Sequence, residues 1–413
     1  MQQISMRRLV RILMIFISAC VYAQENLPED SLQIPVAHIQ QQKWRHALDM
    51  EFRPAWVFTS DPFLKGDNEA QKAIRNTWSA HLEYALAYPT TSPGGRIYPD
   101  TWQGIGVSHF DFGNKRELGS PTAVYFFQRS KLAQLTPGIS LFYEWNFGLS
   151  FGWSPYDYYT NTANITIGSR TNAFMNAGFF IKWRLLPQTY LITGADVSHF
   201  SNGNTSFPNA GLNIAGIKTG LICEFGTPDT GQDSIRHLAR PPFNRHFSYD
   251  VVAFGSHRKK AIPFQDGKIA SPETYPVWGV YAAAMYNLNY RLRTGISADF
   301  VYDKSSDAYT ELPKPGTQQR FYRSEDSHQK ALGFSARIEY VMPVFDIGFG
   351  FGANVFYKGK DMKGTYQSLA LKVKATRNAF VHIGYNLKNF REPNYLMLGV
   401  GYRFHNRMPK LAK

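Results

Sequence analysis

The sequence has little cysteine. Its 413 residues hold two, Cys20 and Cys223. That excludes a cysteine-built zinc or iron–sulfur centre and a disulfide framework. A cut after Ala23 would leave Cys223 alone, with no internal disulfide. Long apolar runs are also lacking. Beyond the first 23 residues no run of about 18 apolar residues occurs, which excludes a helical membrane protein. There is no phosphate-binding loop and no dinucleotide fingerprint. His237, His246 and His257 lack metal-ligand spacing, so zinc is not expected. Neither a cofactor nor a metal is implied. Acid is scarce against base, with 31 Asp and Glu to 45 Lys and Arg, a formal charge of +14. In an exported chain that excess suits anionic lipid such as lipopolysaccharide better than nucleic acid. Charge alone does not separate this from generic surface lysine.

The N-terminus has the plan of a secretory signal over residues 1–23. Arg7, Arg8 and Arg11 form a basic region, Leu13 to Ala19 a short apolar one, and Val21-Tyr22-Ala23 a small-residue cut. Ile17-Ser18-Ala19-Cys20 also loosely resembles a lipoprotein box, which would leave Cys20 lipidated. Aromatics reach 15% while mean hydropathy stays slightly negative. A transmembrane barrel gives that combination, because its strands alternate and average out.

The alternation is explicit. Over Ile139–Phe151 the odd positions are Ile139, Leu141, Tyr143, Trp145, Phe147, Leu149 and Phe151; the even ones are mostly small or polar. Phe345–Tyr357 repeats the pattern. Such strands want lipid outside and a polar interior. Glu144 and Asn146 then belong to an interior network, and Trp145 and Trp153 read as membrane-interface anchors. The chain is expected to be all-β, a transmembrane antiparallel up-and-down barrel with about sixteen strands. Long connections at 58–76, 153–170, 258–274 and 304–327 fall at one end. Tight turns at Leu186-Pro187, Asn287-Leu288-Asn289, Met342-Pro343 and Thr376-Arg377 fall at the other. Long loops outside and short periplasmic turns are the usual plan, with 89–102 as the exception. A polar, proline-rich break at 227–244 divides two similar halves. The expected layout is a signal at 1–23, a periplasmic segment at 24–44, an eight-stranded unit at 45–226, a linker at 227–244 and a second, degenerate unit at 245–413. Two eight-stranded units suit the pattern slightly better than one sixteen-stranded barrel.

Chemistry concentrates at Asp196-Val197-Ser198-His199-Phe200-Ser201-Asn202-Gly203 and at Pro208-Asn209-Ala210-Gly211-Leu212-Asn213. His199 and Ser201 stand two apart at a strand end and share a face, as a base and a nucleophile must. They continue the stripe of Leu191, Ala195 and Val197, so they face lipid, where polar groups are costly. Asn213 shares the outward face of the next strand. An anchoring polar cluster would look the same. Asp196 has the opposite parity.

His199-Phe200-Ser201-Asn202, Pro208-Asn209, Gly211 and Asn213 resemble the lipid A 3-O-deacylase (PagL-like, acyloxyacyl hydrolase) family, over about residues 45–226. The resemblance implies an eight-stranded outer-membrane barrel. It implies Ser201 as nucleophile, His199 as general base, and Asn202 and Asn209 as oxyanion or positioning groups. The implied substrate is lipid A of lipopolysaccharide, losing an ester-linked 3-hydroxyacyl chain. One departure is that the family acid falls at Asn213, which can orient an imidazole but lends it no charge. In the second half Asn389 and Arg391 align with His199 and Ser201, leaving neither nucleophile nor base. A non-catalytic barrel, either a pore or a lipid-binding scaffold with a decayed site, is the rival reading.

Overall fold

The computed structural model describes residues 44–226, 240–265, 267–313, 316–390, 392–409 and 411. The expected signal at 1–23, nearly all of 24–44, residues 227–239 of the expected linker, and Arg391 lie outside the described residues.

Eight strands form the first closed barrel: β1 (Arg45–Val57), β2 (Asn76–Ala87), β3 (Thr101–Asp111), β4 (Gly119–Thr136), β5 (Ile139–Trp153), β6 (Thr171–Leu186), β7 (Thr189–Ser201) and β8 (Leu212–Phe225). Each pairs antiparallel with the next, and β8 closes on β1. The second half continues with β9 (His246–Arg258), β10 (Ala261–Phe264), β11 (Gly267–Ala270), β12 (Tyr275–Asn287), β13 (Leu292–Asp303), β14 (Tyr309–Thr310), β15 (Phe321–Tyr322), β16 (Lys330–Val341), β17 (Phe345–Tyr357), β18 (Thr365–Lys374), β19 (Ala379–Lys388) and β20 (Glu392–Phe404). Strands β9, β12, β13 and β16–β20 close a second barrel. The remaining four are short hairpin strands inside the long loops at 258–274 and 304–327. The sequence reading saw only loop there. The fold is two eight-stranded barrels, not one of sixteen strands.

The walls are inside out relative to a water-soluble domain. Trp56, Ile105, Phe179, Val197, Ile296 and Val400 stand outward and more than half exposed. Charged side chains fill the interiors. In the first barrel Arg53 meets Asp196 at 2.8 Å and Glu144 at 3.2 Å, and Lys218 meets Glu144 at 2.8 Å. In the second, Arg293 meets Asp346 at 2.5 Å, Lys372 meets Asp250 at 2.8 Å, and Arg403 meets Asp250 at 2.7 Å. A buried charge persists only when paired, and lipid is the solvent for which an apolar outer wall is stable. Eight strands leave an interior that side chains can fill. The cavity in the second interior, near Tyr366 and Arg337, is about 40 Å³.

Two expectations about side chains need correction. Trp153 is no interface anchor. It turns inward, donates to Ser150 Oγ at 2.9 Å and packs on Phe112 and Phe200. Gly152 at φ +91° and a register shift between Gly119 and Thr122 break the pleat there. Trp145 faces outward, but onto the other barrel: its ring meets Phe345 edge-on at 5.1 Å. Cys223 is buried on β8 and is not free.

Trp145 belongs to a seam. Met342, Phe345 and Leu371 of the second barrel pack against Trp145 and Phe147 of the first. A second tie lies at the end with the tight turns. The 88–100 connection carries a short helix, Pro93–Ile97. Gly94 N donates to Leu411 O at 3.0 Å, Tyr98 Oη to Tyr290 O at 2.9 Å, and Arg291 to Ile97 O at 3.3 Å. The long connection that broke the barrel plan is thus a strap onto the second barrel.

Candidate active site

The site lies on the outer wall, where β7 and β8 run out into the 202–211 loop. Strand parity is as the sequence implied. Leu191, Ala195 and Val197 are exposed, while Ile192, Asp196, Ser198 and Phe200 are buried. His199 and Ser201 follow the exposed set at intermediate burial. Asp196 points into the barrel and is held by Arg53.

His199 and Asn213 are direct cross-strand partners. His199 Nδ1 lies 2.7 Å from Asn213 Oδ1. A carbonyl oxygen only accepts, so Nδ1 carries the proton and Nε2 keeps its lone pair. That is the tautomer a general base needs. Gly211 backs the ring. Its φ is +76°, and a Cβ there would stand 3.0 Å from His199 Cε1, so any side chain would meet both backbone strain and the imidazole.

Ser201 lies across from Ala173 on β6. Two residues along a strand span roughly 6.6 Å, which brings its hydroxyl within rotamer reach of the imidazole. Among the described residues no hydrogen bond joins the two. Asn202 and Asn209 shape the loop. Asn202 N donates to Asn209 Oδ1 at 3.2 Å, and Asn202 Nδ2 donates to Ser206 O at 3.1 Å. Asn209 Nδ2 reaches Asn204 Oδ1 at 3.4 Å. Both amide donors are used within the loop, which is a positioning arrangement.

A groove of about 460 Å³ runs from this pair down the wall, lined by Phe58, Met175, Ala177, Val197, His199 and Asn213 among others. Its size is that of a small-molecule site, and its wall is mostly apolar, with His199, Asn213, Asn176 and Ser198 as its polar residues. Sequence reasoning missed Phe58 and Met175, because neither belongs to the motif. Met175 is the cross-strand partner of His199 on β6.

A tighter serine–histidine contact exists elsewhere. Ser79 Oγ lies 2.9 Å from His81 Nε2, and His81 Nδ1 lies 2.8 Å from Tyr125 Oη, which donates to Glu83. Ser79 and His81 are 2% and 3% exposed inside the first barrel, so no lipid reaches them.

Among the described residues the second barrel has no counterpart. The outward residues at the end of β19 are Ile383, Tyr385 and Leu387; Tyr385 pairs with Leu396 and Leu387 with Pro393. Asn389 does not occupy the place of His199. It lies beyond β19 in the turn, at φ +50°. Outer loops of this barrel do reach the site loop, at a cleft rich in lysine and arginine. The signal was the run Arg258-Lys259-Lys260, which ordinary loop chemistry hides.

Comparison with known proteins matches residues 247–406 to a family model described as the acyloxyacyl hydrolase C-terminal domain. The match falls on the second barrel, whereas the sequence resemblance was read on the first. No curated protein matches. The chain is similar in structure to Neisserial surface protein A at 8% identity, covering 44% of this chain and 97% of that one, with a TM-score of 0.30. It is similar to Ail, the attachment invasion locus protein of Yersinia pestis, at 10% identity over 45% and 100%, TM-score 0.24. It is also similar to the siderophore receptor PirA from Pseudomonas aeruginosa, at 9% identity over 88% and 81%, TM-score 0.23. These likenesses carry nothing about function. The chain is an all-β protein of two closed eight-stranded barrels, the second of which matches the acyloxyacyl hydrolase C-terminal family model.

Proposed function

We propose that the protein is an outer-membrane serine esterase that removes an ester-linked 3-hydroxyacyl chain from lipid A. One observation carries the reading. A histidine and an asparagine are joined at 2.7 Å on a lipid-facing wall, beside an apolar groove, with a serine two residues along the same face. Polar groups at such a surface cost free energy and call for a use.

The substrate arrives laterally, with one acyl chain along the groove. His199 Nε2 takes the Ser201 proton as Oγ attacks the ester carbonyl. The tetrahedral intermediate collapses and expels the sugar alkoxide, which recovers the proton from His199. Water then attacks the acyl-enzyme with His199 again as base, releasing the fatty acid and Ser201. Asn213 orients the imidazole. Asn202 and Asn209 hold the loop that follows the nucleophile. The expected sequence of events uses no cofactor.

Mass spectrometry of lipid A after incubation with purified protein tests this. Loss of one hydroxyacyl chain with the native protein, and none with Ser201→Ala, supports it. An unchanged profile overturns it. The rival reading is a lipid-binding scaffold, favoured by the neutral Asn213. Interiors packed with ion pairs speak against a pore, and planar-bilayer conductance is its direct test.

A further inference from the structure

The 202–211 loop does not end in open solvent. Lys259 N donates to Asn204 O at 3.2 Å, and a Cβ at Gly203 would lie 3.5 Å from both Leu396 Cδ1 and Tyr385 Cε2. Between this loop and the outer loops of the second barrel lies a cleft of about 1190 Å³. Asn204, Phe207 and Asn209 form its near side; its far side belongs wholly to the second barrel. It exceeds the roughly 300–1,000 Å³ of common small-molecule sites, which leaves room for a disaccharide.

The charges in the cleft are unevenly spent. Arg258 is held by Asp303 at 2.9 Å, and Arg323 by Glu273 at 2.6 Å. Lys260 is held by Asp361 and by Ser305 O. Asp307 receives the backbone N–H groups of Lys360 and Asp361, each at 2.8 Å, and faces His328 at 3.2 Å. Glu325, on the rim, is exposed. The ammonium groups of Lys259 and Lys360 have no partner among the described residues. Tyr309, half exposed and stacked on Tyr322 at 5.3 Å, offers a flat apolar face beside them.

The two sites lie at different depths. The apolar groove runs down the wall from His199 toward Val197 and Ala177, while the cleft opens beyond the strand ends among the outer loops. One amphiphile fits both: chains on the wall, an anionic sugar above. We propose that the second barrel supplies the head-group subsite, in which Lys259 and Lys360 bind a phosphate of the phosphorylated sugar whose acyl chain lies in the groove. This rests on the proposed function for the acyl half alone. Phosphate recognition by a fixed cation is a charge-assisted contact, and lysine serves it as a point charge.

The test is binding, in detergent micelles, to full-length Ser201→Ala protein, with bis-phosphorylated lipid A and its dephosphorylated form as probes. For Lys259→Glu with Lys360→Glu, Kd for the phosphorylated lipid should rise about tenfold or more through two lost charge-assisted contacts, with Kd for the dephosphorylated form unchanged. Lys360→Gln should give a smaller loss of the same kind. Lys115→Glu, on an outer loop away from the cleft, is the charge control. Equal losses for both lipids, or no loss, overturn the proposal. Inorganic phosphate that binds as tightly as the lipid also overturns it, by making the site one for a free anion. Because the variant cannot turn over, absence of hydrolysis by the native protein would defeat the esterase reading and leave this measurement intact.

Discussion

Toward the outer end of the last strand pair, the first barrel presents His199 opposite Asn213, and the second presents Tyr385 opposite Leu396 and Leu387 opposite Pro393. The strands, the closure and the charged interiors are otherwise alike. The difference separates what the fold requires from what chemistry requires. An apolar outward pair suits a barrel wall whether it meets lipid or, as Tyr385 and Leu396 do, the neighbouring loop at Gly203. A histidine and an amide there are not needed for folding, because the second barrel closes without them. The interior ion pairs occur in both and belong to the architecture. The family match falls on the barrel without the pair.

The comparison can be broken most severely at Ser201. Ser201→Ala should lower hydrolysis on the order of 10⁶-fold, with folded barrels judged by heat-modifiable electrophoretic mobility. Full activity in the variant would remove the distinction between the two walls. Next come the interiors. Arg53→Met and Arg293→Met each leave carboxylates without their cation, and each should cost about 3–5 kcal/mol in denaturant unfolding. A loss confined to one barrel would show that the interiors are not equivalent. Asn213→Glu sharpens the contrast by giving the first wall a charge. Activity should rise about tenfold or more, since a carboxylate stabilises the imidazolium where an amide cannot. A fall would mean that the neutral partner is the working one. The smallest effect concerns the second barrel's outer loops. Burial pushes the Asp361 carboxyl up, but Lys260 and the backbone N–H of Asp307 outweigh it and hold it below the usual carboxylate range. With a lowered folded value, the tie is complete above about pH 4 and lost as pH falls through the folded value. Being partly exposed it is worth under ~1 kcal/mol, read as faster proteolysis of the 358–364 loop in acid. Asp361→Asn should abolish that pH dependence.

Much of this was legible because a strand's period is two. Alternation alone gave the walls, the outward set of His199, Ser201 and Asn213, and the inward turn of Asp196. It failed where the pleat is interrupted, as at Gly152, beyond which Trp153 points inward. It also cannot say what an outward side chain meets. Trp145 looks the same in sequence whether its neighbour is lipid or Phe345. The alignment of Asn389 with His199 failed for a related reason: β19 ends at Lys388, so a matched sequence offset runs off the strand into the turn. The cleft was hidden because it joins loops about 50 to 150 residues apart, and no local pattern encodes such a meeting.

The strap between Gly94 and Leu411 sets an order of events in assembly. The first barrel's eight strands pair only with one another, but Gly94, Ile97 and Tyr98 acquire their partners Leu411, Arg291 and Tyr290 only when the second half of the chain arrives. A chain shortened by its final few residues should therefore keep both barrels and lose part of the latch, so that they turn about the remaining seam in the plane of the membrane.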